Sequence, residues 1–328
     1  MPPEIEAIAT TAGLEALRPE WLELWASMPA ATPFQSPAWL IPWWHVFGTG
    51  ELIALALRRR GRLVGLVPLY VHPDGRHRKL LPLGIGISDH LDPLLSADHA
   101  PVVLAWLAGH DHRFDWIDLE DQGAGSPLLA APAPAGWESA IHPCEPCPVL
   151  PLPVSLRDLC RSVPRLAKLP YYRRRAERLG EVTIEPASPA NLAELLDALF
   201  RLHGKRWQER GEPGVLADPS VRAFHREAAA ALLELGLLRS FALRIGGRIV
   251  AVLHGFADRK RFYAYLAGYD PGLPHPGLGA MMIGLAIQRA AEERLAAFDF
   301  LRGREPYKYD WGAVDRPAHG RRLRPLRK

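Results

Sequence analysis

Ala56-Leu57-Arg58-Arg59-Arg60-Gly61-Arg62-Leu63-Val64 returns 186 residues later, at 242 instead of 56, as Ala242-Leu243-Arg244-Ile245-Gly246-Gly247-Arg248-Ile249-Val250. The shared frame is A-L-R-x-x-G-R-x-V. In each copy an apolar run enters a glycine-containing turn and leaves it as a second apolar run, which is a β-hairpin signature. Two further markers keep their order. Leu91-Asp92-Pro93 and Phe114-Asp115-Trp116 in the first half answer Tyr269-Asp270-Pro271 and Phe298-Asp299-Phe300 in the second, at offsets of 178 and 184. A helix-like stretch lies between the paired markers in both halves. The chain therefore reads as two copies of one hairpin–helix–strand unit.

Composition is consistent with this. A chain of 328 residues has room for two domains, each with its own core. Hydrophobic content of 48% and charged content of 23% are those of a soluble globular protein. No apolar stretch approaches the ~20 residues that span a bilayer. Glu4 and Glu6 stand where a signal peptide would carry basic residues, so the cytoplasm is the expected location. The net charge of +4 invites a nucleic-acid reading, but Arg321, Arg322, Arg324, Arg327 and Lys328 supply five charges and leave the remainder at −1. These residues, and the cluster Arg173-Arg174-Arg175 with Arg178, are expected to form a solvated tail and helix face. Cys144-Glu145-Pro146-Cys147, with His142 beside it, has the form C-x-x-C. Pro143, Pro146 and Pro148 make the segment extended, and a zinc site lacks an identifiable fourth ligand, so no metal is expected.

Periodicity predicts strands at 4–9, 52–58, 63–71, 79–83 and 116–119, and again at 181–185, 238–245, 248–256, 261–268 and 297–301. Helices are predicted at 14–28, 38–47, 98–109, 191–210, 219–235 and 278–294. Residues 84–92 read as a loop and 124–153 as the crossover between halves. The expected class is α/β (α+β), with mixed, mostly antiparallel sheets flanked by helices. The expected domains are 1–150 and 151–328.

Pro276-Gly277-Leu278-Gly279-Ala280 opens a helix after the third strand of the second half. Glycines there allow close approach of a ligand, and free N–H groups with the helix dipole favour an anion such as pyrophosphate. The equivalent place, 96–101, has no glycine, so the second half is the expected donor side and the first half the acceptor side with a degenerate donor loop. Glu305-Pro306-Tyr307-Lys308-Tyr309-Asp310-Trp311 is the candidate segment for chemistry. Lys308 could stabilise a tetrahedral anion or bind phosphate, or it could pair with Glu305 or Asp310. In Asp89-His90-Leu91-Asp92 a carboxylate or imidazole could deprotonate an acceptor, or the aspartates could cap turns. Arg206-Trp207, near the end of a long helix, and Tyr307 could orient substrate.

Taken together, several stretches resemble the BioF2-like acyltransferases of the CelD/BcsL, cellulose-biosynthesis-associated, branch of the GNAT superfamily. They are Phe34-Gln35-Ser36-Pro37-Ala38-Trp39, Trp43-Trp44, 61–69, Asp89-His90-Leu91-Asp92, Arg206-Trp207, 263–270, Pro276-Gly277 and 298–311. The resemblance implies tandem GNAT-like folds, as in the related FemABX peptidyltransferases. It implies an acetyl-CoA or other acyl-CoA donor, held by Gly277, Leu278, Gly279, Ala280, Tyr265 and Gly268. The acceptor would be an amine or hydroxyl of a small molecule or polysaccharide-related compound. In the FemABX branch the donor is instead aminoacyl-tRNA, and a functional lysine stands in a segment like that of Lys308. A non-catalytic GNAT-fold binding protein is the remaining alternative. The GNAT phosphate loop usually reads Q/R-x-x-G-x-G/A; Gly277 and Gly279 fit it, and Pro274 stands where Gln or Arg is expected.

Overall fold

The computed structural model describes residues 2–153, 155–209, 211–273 and 277–326, with the side chains of Leu156 and Arg157 outside that description. The chain divides into two compact units, Met1–Glu145 with Pro317–Lys328, and Pro146–Arg316. This boundary falls five residues before the division expected at 150/151, and the C-terminal stretch belongs to the first unit rather than the second.

In the first unit, β1 (Glu4–Ile8) is followed by α1 (Thr11–Ala16), α2 (Arg18–Ser27) and α3 (Pro37–Phe47). Next come β2 (Glu51–Arg59), β3 (Arg62–Asp74), β4 (His77–Pro82), α4 (Ala100–Ala108), β5 (Trp116–Gly123), α5 (Pro127–Ala130) and β6 (Trp137–Pro143). The second unit runs β7 (Cys147–Pro151), α6 (Leu156–Ser162), α7 (Leu169–Glu177), β8 (Val182–Pro186), α8 (Leu192–Gln208), α9 (Pro219–Glu234), β9 (Phe241–Ile245) and β10 (Arg248–Ala257). It continues through β11 (Arg261–Tyr269), α10 (Leu278–Glu292), β12 (Ala297–Asp299), α11 (Pro306–Tyr309) and β13 (Val314–Arg316), and β14 (Ala318–Pro325) returns to the first unit.

The two seven-stranded sheets have the same order. One reads β1-β2-β3-β4-β5-β14-β6 and the other, from its opposite end, β8-β9-β10-β11-β12-β7-β13. Among the described residues all pairs are antiparallel except one in each sheet, β4–β5 and β11–β12, joined through the α4 and α10 crossovers. The repeated hairpins thus lie in separate sheets, and the fold class is the expected one.

The arginine of the repeat explains why the motif recurs. Arg58 Nε donates to Glu6 on β1 at 2.9 Å, its Nη groups fork onto Glu20 of α2 at 2.6 and 3.1 Å, and Nη1 reaches the Gly61 carbonyl at 3.2 Å. Arg244 repeats each contact. Its Nε meets Glu185 on β8 at 2.7 Å, its Nη groups meet Glu194 of α8 at 3.0 and 2.6 Å, and Nη1 meets the Gly247 carbonyl at 3.1 Å. Even the register matches, with Glu6 opposite Ala56 and Glu185 opposite Ala242. Each guanidinium clasps its hairpin to the preceding strand and helix, and bidentate geometry gives the clasp direction.

Each unit has its own core. In the first, Leu55, Leu57, Val67, Leu69, Val103 and Leu104 pack between sheet and helices; in the second, Leu243, Leu253, Phe262, Met281, Ile287 and Phe298 do so. Residues Phe34 to Trp39 are buried throughout, with the Trp39 indole N–H donating to Ser88 Oγ at 2.9 Å.

The C-terminal basic stretch corrects an expectation. Over its described part it is an interior strand between β5 and β6 rather than a solvated tail. Arg321 is 3% exposed and donates to the Ala131 carbonyl at 2.7 Å and Ser139 at 2.9 Å, while Arg322 pairs with Asp118. The crossover region 124–153 is likewise structured, holding α5, β6 and β7.

Candidate functional site

The second unit's sheet opens where its parallel strands part. Only Arg261, Phe262 and Tyr263 of β11 pair with β12, whereas the ladder from β11 to β10 continues to Tyr269. β12 stops because Leu301 turns into a left-handed conformation, φ 61°, with its N–H donated to Asp299 at 2.8 Å. Ala264, Tyr265, Leu266 and Ala267 are left half-buried in mid-sheet. Backbone groups along such an edge can pair with an extended ligand.

The α10 N-terminus follows β11. Gly277 has φ 69°, and no side chain caps the helix at that residue. Glycine is required there twice over, by the left-handed backbone and because a Cβ would lie 2.5 Å from the Tyr172 ring. A Cβ on Gly279 would meet the Tyr269 ring at 3.2 Å. Over that ring, 4.9 Å from its centroid, sits the guanidinium of Arg206 from α8. Arg206 Nε is buried without a hydrogen-bond partner among the described residues. Tyr307 lies at the surface, yet burial of its phenol, with Glu305 beside it and Arg206 opposing, raises its pKa to about 12. Arg206, Tyr269, Tyr307 and Glu305 therefore share one electrostatic neighbourhood, which reaches the start of α10 through the contact of Tyr269 with Gly279. Pro274, His275 and Pro276 lie outside the described residues.

Lys308 is 2% exposed. Its ammonium donates to the carbonyls of Leu301, Arg302 and Gly303 at 2.9, 2.7 and 3.1 Å and pairs with Glu305 at 2.9 Å. The salt bridge offered by the sequence as one alternative is present, and the side chain braces the turn that ends β12. Asp310 pairs with Arg165. Trp207 donates its indole N–H to His203 Nε2 at 2.9 Å. Gly268 brings α8 against β11, since a Cβ would meet the His203 backbone N at 2.8 Å. The Tyr265 ring packs among His225, His254 and Phe256. Leu278 is in the core and Ala280 at its margin.

Asp89, His90 and Asp92 belong to the first unit, where the space beside β5 is filled. Leu91 donates its N–H to the Asp121 carbonyl at 3.0 Å, and Asp92 accepts from the Gly123 N–H at 3.1 Å. Burial raises the Asp92 carboxyl above its ordinary range, against the pull of the Gly123 N–H. His90 and Asp92 line a cavity of about 20 Å³, room for a single water. The His90 ring lies 5.8 Å from that of Phe34, and Asp89 is buried.

Sequence reasoning did not find Tyr172 or the histidines His203, His225 and His254. Each comes from a different element, so no local spacing marks them.

Comparison with known proteins agrees with this architecture. Residues 165–309 match the family of acetyltransferase (GNAT) domains. The structure of FemX is similar over 97% of this chain and 96% of that one, with a TM-score of 0.65 and 12% identity. A tandem GNAT protein from the clavulanic acid biosynthesis pathway is similar over 99% of both chains, with a TM-score of 0.50 and 12% identity. The chain has a tandem GNAT fold. A C-terminal domain named for a lysylphosphatidylglycerol synthetase of Agrobacterium fabrum shares it over 97% of this chain and 93% of that one, at a TM-score of 0.58 and 12% identity. No protein with curated annotation matches in sequence. Among the described residues no helix is long and apolar enough to cross a membrane.

Proposed function

We propose that this protein is a cytoplasmic, GNAT-type N-acyltransferase of the BioF2-like, CelD/BcsL kind. It takes an acyl group from acetyl-CoA or another acyl-CoA and passes it to an amine or hydroxyl of a small-molecule or glycan-precursor acceptor. One observation carries the reading: in the second unit β11 parts from β12 beside a helix N-terminus that opens on Gly277 and has no side-chain cap there. The donor's pyrophosphate would take the N–H groups at Leu278, Gly279 and Ala280. Its amide-bearing arm would pair along 264–267. Arg206 supplies the positive charge that Pro274 cannot give to the loop. The mid-sheet N–H groups near Tyr265 would polarise the thioester carbonyl. Glu305 would deprotonate the acceptor, and Lys308 and Tyr307 would fix the segment that carries it. Asp89 and His90, in the filled first unit, would hold the loop that closes the gap beside β5, so Asp89→Ala is expected to lower stability in chemical denaturation more than it lowers donor binding.

A thermal-shift and calorimetric panel of CoA, acetyl-CoA and longer acyl-CoAs tests the donor. Binding of an acyl-CoA at one site per chain is expected, and no response to any of them would defeat the reading. A second reading, an aminoacyl-tRNA donor, is favoured by the likeness to FemX across nearly the whole chain. It predicts tRNA binding that weakens steeply with salt, with no CoA response.

A further inference from the structure

The outer strands of the first unit assemble a set of metal ligands that the sequence scatters. Glu120 is on β5, His142 on β6 and Cys144 just beyond it. Glu120 Oε2 lies 3.0 Å from His142 Nε2 and 3.4 Å from Cys144 Sγ, and the three ligand atoms all fall within 4.8 Å of one another. Tetrahedral zinc, with Zn–N and Zn–O near 2.0–2.2 Å and Zn–S near 2.3 Å, sets ligand–ligand edges of roughly 3.3–3.6 Å. The two edges that meet at Glu120 need only small adjustments to reach those values, and the His142–Cys144 edge, within 4.8 Å, must close to them.

The backbone around the cluster is shaped for it. β14 runs between β5 and β6, with Gly320 opposite His142. A Cβ at 320 would lie 2.2 Å from His142 Nε2 and 2.6 Å from Glu120 Oε2, so only glycine lets the two side chains meet over the intervening strand. The ladder to β5 carries a bulge at that point. Cys144 is fixed by its backbone N–H, donated to the Ala318 carbonyl at 2.9 Å. Asp121, a non-glycine residue held at φ 50°, gives its backbone N–H to the Cys144 sulfur. An N–H donated to sulfur is a contact that supports metal-ligating thiolates, although burial and the neighbouring Glu120 push the free Cys144 thiol up to about 11, so an incoming ion has to displace its proton.

We propose that Glu120, His142 and Cys144 form a three-ligand site for a divalent zinc-type ion, clamping edge strand β6 to β5 across β14. Carboxylate and thiolate contribute two negative charges, matching the ion, and the thiol proton leaves to solvent on binding. The fourth position is open to water or another small ligand. His142 and Glu120 retain enough exposure, 41% and 28% of their side chains, to let the ion enter.

The test uses the full chain, stripped with chelator and titrated with Zn²⁺ against a chromophoric competitor, then with Co²⁺ by optical absorption. One equivalent should bind and give a thiolate-to-cobalt charge-transfer band. Cys144→Ser should remove the band and weaken Zn²⁺ by more than the roughly 10–100-fold that loss of an outer-shell partner costs. Cys160→Ala, at an exposed cysteine elsewhere, should change neither. If Cys144→Ser does not fold, His142→Gln on the exposed edge strand should show the same loss of affinity. Absence of stoichiometric binding would overturn the proposal, as would a band that survives in Cys144→Ser or is lost in Cys160→Ala. In either case the Glu120–His142 contact is a hydrogen bond and nothing more.

Discussion

Acidification should destabilise the second unit through three buried histidines, above the range in which the clasped Glu20 and Glu185 lose their charge. His203, His225 and His254 are 4%, 1% and 1% exposed. Burial holds His203, with Arg206 nearby, and His254 at a pKa of about 4. It holds His225 well below the ordinary range, and the neighbouring His254 and His203 push the same way. An unfolded histidine titrates near 6.5. A folded-state pKa below that value means that the unfolded chain binds protons first. Stability is therefore intact above about pH 6.5 and falls as the pH drops from there toward 4. At pH 5 each imidazole costs about 2 kcal/mol, and the three together cost on the order of 5–6 kcal/mol. That rivals the whole stability of an ordinary domain. Glu20 and Glu185, whose carboxyls are held below their usual range by Arg58 and by Asn191 with Arg244, lose their contribution only near and below pH 4.5, outside this window. The assay is urea unfolding at pH 7.5, 6.5, 5.5 and 5.0, for the wild type and for His254→Gln, which can keep a hydrogen bond to Ser240, now 2.7 Å from His254 Nδ1. The variant should lose about one proton's worth of slope. A wild-type unfolding free energy that changes by less than about 1 kcal/mol between pH 7.5 and 5.0 would refute the assignment of these rings as neutral and buried.

Three further outcomes are expected. Gly279→Asp sets a side chain against Tyr269 and a negative charge at the helix start, so acyl-CoA binding measured by calorimetry should be abolished with the fold retained by circular dichroism; wild-type affinity would put the donor elsewhere. Arg58→Ala and Arg244→Ala each break a forked clasp at a partly exposed position, and each should cost about 1–2 kcal/mol in chemical denaturation, with losses in the double variant that add, since the sites share no partner. Lys308→Met keeps the stem but strips three carbonyls of their donor, so a stability loss of about 3 kcal/mol is expected by thermal melting, and an unchanged melting temperature would show that the turn does not depend on the ammonium.

The parts of the fold legible in the sequence were those set by neighbours along the chain. The hairpins, the helix behind Asp218, and the glycine entry to α10 follow from spacing and turn chemistry, and the structure has them. The clasp around Arg58 and Arg244 was half legible. The arginines stand in the repeat, but their glutamates have drifted, Glu6 to Glu185 and Glu20 to Glu194, because the helices between β1 and β2 and between β8 and β9 differ in length. β14 was not legible. Arginine-rich composition reads as solvated, and nothing local shows that Arg321 will find the Ala131 carbonyl 190 residues earlier. The three buried histidines were invisible for the same reason, since α8, α9 and β10 each contribute one.

The same contrast bears on which unit holds the donor. Both sheets contain one parallel pair, and at that pair a GNAT-like unit can open. In the first unit the strand β5 beyond Ile117 is met by the loop at Leu91 and Asp92, which occupies its hydrogen-bonding groups at Asp121 and Gly123. The space that remains there holds about one water. In the second unit the left-handed turn at Leu301, braced by Lys308, carries the chain away from β11 and leaves 264–267 without a strand on that side among the described residues. The helix that follows β11 begins with Gly277 and Gly279; the helix that follows β4 has neither, and begins with Pro101 at its first turn. One duplicated framework thus carries two different fillings of the same gap. The asymmetry favours the second unit as the place where an acyl donor is taken up.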